Sequence, residues 1–78
     1  MLKYELIEED ESKALYKYFP EGGKESGIVA IDKKSGECSI ENLSSNDRHQ
    51  RYALKMFKRL KEALESKKFE KAGIVAWS

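Results

Sequence analysis

Arg51-Tyr52-Ala53-Leu54-Lys55-Met56-Phe57-Lys58-Arg59-Leu60-Lys61-Glu62-Ala63-Leu64 decides the fold of this chain. Tyr52, Ala53, Met56, Phe57, Leu60, Ala63 and Leu64 fall on one side of a 3.6-residue period, while Arg51, Lys55, Lys58, Lys61, Glu62 and Glu65 fall on the other. That is the pattern of a helix burying one stripe. The stripe needs an apolar surface to cover, and near-identical runs on either side supply it: Gly27-Ile28-Val29-Ala30 before the helix and Gly73-Ile74-Val75-Ala76 after it. Both are β-branched and too short to be helices. No longer repeat surrounds them, so they read as two solutions of one buried-strand problem rather than as a duplication.

Towards the N-terminus, Ser44 with Asp47 three residues later resembles a capping box with Asp in place of Glu. It predicts a helix that starts there and runs to about residue 67, longer than any strand. Leu2, Tyr4 and Leu6 alternate with Lys3 and Glu5, which predicts a strand over 2–8 before Glu8-Glu9-Asp10-Glu11-Ser12 breaks it with a solvated turn. Residues 13–19 form a second strand, with Ala14, Tyr16 and Tyr18 on one face and Leu15, Lys17 and Phe19 on the other, ended by Pro20 and the loose Gly22-Gly23. Residues 28–32 are the third. Asp32-Lys33-Lys34-Ser35-Gly36-Glu37 has the Asp start and late Gly of a hairpin turn with a left-handed residue, and the fourth strand covers 37–42. The last runs from Ile74 to Trp77. The expected architecture is α+β in the order β-β-β-β-α-β: an antiparallel meander sheet with one long amphipathic helix packed on one face, residues 1–78 forming one domain. The pattern leaves open whether the last strand takes an edge or lies beside the third.

At 78 residues, 40% hydrophobic and 37% charged, the chain has the composition of a folded domain with a single core. Its apolar runs are far short of the ~20 residues that span a bilayer, so no membrane role is expected. Charged residues from Lys3 onward exclude a secretory leader, and the lone Cys38 suits a reducing compartment, so the expected location is cytoplasmic. The net charge of +1 hides an asymmetry: residues 1–47 carry 6 Lys and Arg against 11 Asp and Glu, residues 48–78 carry 9 against 3. Mutual attraction of the two halves within the fold is the preferred reading, and a basic face for an anionic partner is the other.

No arrangement specifies a reaction. Cys38 and His49 are the single members of their types, and they read as a small core residue and a partly buried histidine at the helix start rather than as nucleophile and base. One His and one Cys cannot complete a zinc site, and Glu8 to Glu11 lack calcium-loop spacing. Gly22-Gly23-Lys24 lacks the Ser or Thr and the strand-to-helix context of a phosphate loop. No catalytic residue and no cofactor follow, and the chain reads as non-enzymatic.

Two surfaces remain. Arg48, Arg51, Lys55, Lys58 and Arg59 form a basic stripe on the solvent side of the helix, the candidate nucleic-acid contact, although Glu62 and Glu65 lie four residues beyond Lys58 and Lys61 as on an ordinary solvated face. Tyr4, Tyr16, Tyr18, Phe19 and Trp77 fill the core or form an aromatic platform on the open sheet face, with Trp77 the candidate protein-contact anchor.

Met1-Leu2-Lys3-Tyr4, Ser26-Gly27-Ile28-Val29-Ala30-Ile31-Asp32 with its Lys34-Ser35-Gly36-Glu37 turn, and Ala72-Gly73-Ile74-Val75-Ala76-Trp77 together resemble small uncharacterised proteins of Gram-positive bacteria and their prophages. The resemblance covers nearly the whole chain, implies a cytoplasmic and phage-linked origin, and carries over no catalytic residue. A weaker likeness is to the three-strand-plus-helix DNA-binding domains of some mobile-element integrases, which is an analogy of fold alone. The expected function is a small module acting through protein contacts, by the open sheet face or by an edge strand that would also allow a homodimer; the alternative is nucleic-acid binding by the basic stripe.

Overall fold

The computed structural model describes residues 1–76. Strands β1 (Leu2–Glu9), β2 (Lys13–Pro20), β3 (Gly27–Asp32) and β4 (Cys38–Asn42) precede helix α1 (Arg51–Ser66), and β5 (Ala72–Val75) follows it. All neighbours pair antiparallel in the order β4-β3-β2-β1-β5, so the meander is as expected and β5 takes the edge beside β1. The chain that leaves the helix needs only a short return to reach that edge, and Leu6 donates its backbone N–H to the Lys71 carbonyl at 2.7 Å on the way in.

Period-two alternation assigns the two faces. Leu2, Tyr4, Ala14, Tyr16, Tyr18, Val29 and Ile31 are buried on one face and meet Ala53, Met56 and Leu60 of the helix stripe; Cys38, Ile40, Phe57, Leu64, Phe69 and Val75 close the margins. Burying this much apolar surface under one helix is the main source of stability. The β1–β2 and β3–β4 turns are each built on an aspartate: Asp10 Oδ1 accepts from the N–H groups of Ser12 and Lys13, Asp32 Oδ1 from those of Lys34 and Ser35. These bonds hold both carboxyls below the usual carboxylate range, and Gly36 takes the expected left-handed backbone at φ 78°.

The helix does not begin after Ser44. It starts at Arg51 and covers 16 residues, about 24 Å at about 1.5 Å per residue. Ser44 and Asp47 are instead spent on a buried turn, in which Asp47 N–H bonds the Ser44 carbonyl and Gln50 N–H the Asp47 carbonyl, and Gln50 then turns left-handed at φ 59°. The carboxylate of Asp47 still reaches the first-turn amides, accepting from Tyr52 N–H at 3.0 Å and Ala53 N–H at 2.9 Å. Asp47 caps the helix from further back than a capping box would. At the other end Lys67 is left-handed at φ 58°, and Lys68 N–H bonds the Ala63 carbonyl, a glycine-type stop made without glycine.

Candidate functional site

The basic stripe loses one of its five members, Arg59, to the fold. Arg48 lies in the turn before α1, and Arg51, Lys55 and Lys58 are exposed along the helix. Arg59, expected on the solvent side, is half-buried: its Nε donates to the Tyr4 hydroxyl at 3.1 Å, and its guanidinium sits 5.9 Å from the centre of the Tyr4 ring. It belongs to the packing between helix and sheet. Lys55, Lys58, Arg59 and Glu62 line a groove of about 200 Å³ against Val75 and Ala76. Trp77, the candidate protein anchor, lies outside the described residues.

The ion pairs Met1–Glu21, Lys13–Glu8, Lys33–Glu9 and Lys68–Glu70 do not join the acidic half to the basic one. The first three join groups of the first half, and the last joins groups of the second. The acidic turns recruit nearby lysines within the sheet, because hairpin geometry brings them closer than the helix does. Lys33 also lies 4.7 Å from the centre of the Phe69 ring.

Nor do Tyr4, Tyr16 and Tyr18 join a platform on the open face. Tyr4, Tyr16 and Tyr18 all point under the helix. Tyr4 and Tyr16 meet edge to face at 5.5 Å, Tyr16 donates to the Glu70 carbonyl, and Tyr18 donates to Asp47 Oδ2 while accepting from Ser44 N–H. Burial pushes the Tyr16 phenol up to about 12 and raises that of Tyr18.

What the helix leaves open is a different set. The register places Lys3 between Phe19 and Ile74, Lys17 between Glu5 and Ile28, and Leu15 between Glu8 and Ala30, with Ser39 beyond Ala30 and Lys13 opposite Asp32. Leu15, Phe19, Ile28 and Ala30 therefore run as a diagonal apolar band across β2 and β3, half-buried although no element covers them, and Ile74 is 61% exposed at the β5 edge. Beside it is a depression of about 330 Å³ lined by Lys13, Leu15, Ala30, Asp32, Ser39 and Glu41. The sequence carries a signal for this face in the alternation Leu15, Lys17, Phe19.

Cys38 and His49 do not behave as a catalytic pair. Cys38 Sγ is turned towards the helix, 3.8 Å from the Phe57 carbonyl, and burial raises its thiol, which disfavours the thiolate. His49 is exposed in the turn that precedes α1, not partly buried in the helix, because the helix begins two residues later. No helix is long and apolar enough to cross a membrane among the described residues. Comparison with protein-family models, with curated proteins and with solved structures finds no match for this chain.

Proposed function

We propose that this protein is a non-enzymatic module that works through protein contacts made by the open face of its sheet. The observation that supports this reading is the band Leu15, Phe19, Ile28 and Ala30, apolar side chains kept on the one sheet face that no helix covers. Leaving apolar side chains there adds nothing to the core, and such patches rimmed by polar residues mark contact surfaces. The face is favoured over edge-strand pairing because the two edges, β4 and β5, are only five and four residues long. Cys38 as a lone thiol suits a reducing compartment, and the cytoplasm is the location we assign.

The test is photo-crosslinking in the cells that express the protein, with the reactive side chain placed at Ala30 on the open face or at Leu54 on the exposed side of the helix. Protein adducts from position 30 and none from position 54 support the reading. Adducts from position 54 alone, or from neither, sink it.

Nucleic-acid binding is the second reading. It rests on Arg48, Arg51 and Lys58, exposed along one side and in none of the four ion pairs. Glu62 beside Lys58 in the groove and the withdrawal of Arg59 onto Tyr4 leave it the weaker one.

A further inference from the structure

Building on the reading of the open face as a contact surface, we infer that its occupant is a second copy of the same chain, packed sheet on sheet. The charges around the apolar band carry the argument. Lys3, Lys13 and Lys17 are interleaved with Glu5, Glu8, Asp32, Glu37 and Glu41, three cations against five anions, with opposite signs directly across from each other at Glu5–Lys17 and Lys13–Asp32. A phosphate backbone laid over this face meets a carboxylate beside every lysine. A strongly acidic or strongly basic protein meets like charges over half of it. A copy of the face itself carries both signs, and a twofold axis makes every favourable contact occur twice.

The shape agrees. The band lies at the centre of the sheet on β2 and β3, with the charged row of β1 on one flank and Ser39 and Glu41 of β4 on the other: an apolar centre inside a polar rim. Two such sheets stack about 10 Å apart with their strands about 30° off parallel. The depression beside Leu15 and Ala30 gives room for a side chain of the facing sheet. Strand spacing of about 4.8 Å and a rise of about 3.4 Å per residue make the face about 20 Å on a side. That footprint of about 400 Å² is half of the about 800 Å² per partner of a standard interface. The dimer is therefore weak, dissociating in the micromolar to sub-millimolar range.

Sedimentation equilibrium on the whole chain from micromolar to millimolar concentration tests this. The expected result is a reversible rise from 9.0 kDa towards twice that mass, weakened at least tenfold by Ile28→Lys or Phe19→Lys and unchanged by Leu54→Lys. Because a face variant could lose its fold, the wild type is also mixed as labelled and unlabelled copies, and isotope-filtered NOEs are expected between Leu15, Phe19 or Ile28 of one copy and the same band of the other. A single 9.0 kDa species at millimolar concentration overturns the inference, as does a dimer whose intermolecular NOEs come from the helix or an edge strand. In the crosslinking experiment, an adduct from position 30 to a different protein with no self-adduct also overturns it while leaving the contact-surface reading intact. No adduct from position 30 removes both.

Discussion

The ring of Tyr4 lies directly on Gly73. A Cβ built on Gly73 would stand 2.4 Å from the Tyr4 hydroxyl oxygen and 2.6 Å from Cζ, so only glycine fits beneath the ring. The same relation recurs on the same face between β2 and β3, where a Cβ on Gly27 would stand 2.4 Å from a ring carbon of Tyr18. The register runs Gly27, Tyr18, Tyr4, Gly73 across four strands, and Lys17 and Lys3 each sit opposite the isoleucine that follows the paired glycine. The two Gly-Ile-Val runs thus flank two Lys-Tyr dipeptides in a pseudo-twofold arrangement. What repeats is a packing unit: a tyrosine on one strand and the gap for it on the next.

The two glycines should not tolerate a methyl group equally. At Gly73 the obstacle is the far end of one side chain, which can swing, whereas at Gly27 it includes the Asn42 carbonyl at 2.6 Å and the Ser44 N–H nitrogen at 2.7 Å, both backbone. Overpacking of this kind costs about 1–3 kcal/mol. Gly27→Ala is expected at the upper end and Gly73→Ala at the lower, read by urea denaturation. Equal losses would mean that the Ser44 turn moves as easily as a tyrosine ring.

Asp47 ties that turn to both the helix and the core, so its loss should be costly. Its carboxylate takes the N–H groups of Tyr52 and Ala53 and the Tyr18 hydroxyl. Asp47→Ala removes a cap worth about 1 kcal/mol and leaves a buried hydroxyl without an acceptor at a further ~1–3 kcal/mol. Asp47→Asn, which keeps an acceptor oxygen, should lose clearly less. Thermal unfolding of the pair checks the order, and indistinguishable variants would contradict the role given to the carboxylate.

Stability should fall at both ends of the pH range. Asp10 and Asp32 have folded-state values held below 3.8 by the N–H groups they accept, so the stability they add is present above that value and is lost as pH falls through the folded values. The Tyr16 phenol is raised from 10.0 to about 12 by burial, so the folded state keeps a proton that the unfolded chain has given up, and stability declines between those values. Denaturation midpoints across pH 2 to 12 check both limbs. The Asp10→Ala/Asp32→Ala variant should be less stable near neutrality yet lose less on acidification, and Tyr16→Phe should flatten the alkaline limb.

The basic stripe should stay silent towards nucleic acid. Reversing Arg51, Lys55 and Lys58 to glutamate is expected to leave binding of labelled duplex DNA and RNA at low salt unchanged, at the level of nonspecific background. Binding that falls steeply with salt and vanishes in the variant would restore the nucleic-acid reading, since each neutralised phosphate releases counterions.

Periodicity alone determined the elements and their class: the helix stripe, the alternating strands and the turn at Asp32 to Gly36 are local patterns, each set by a few neighbouring residues. It also separated the two faces of β2, but which of them the helix covers was decided only by the packing of Tyr16 and Tyr18 under α1. The helix start was misplaced because a Ser-x-x-Asp spacing looks the same whether it caps the next turn or closes a buried one, and only contact with Tyr18 decides. The edge position of β5, the withdrawal of Arg59 onto Tyr4 and the pairing of Tyr4 with Gly73 were decided by tertiary structure alone. They depend on which surfaces meet when residues 55 or more positions apart fold together, and a contact between Tyr4 and Arg59 or Gly73 leaves no trace in the spacing of either one's neighbours.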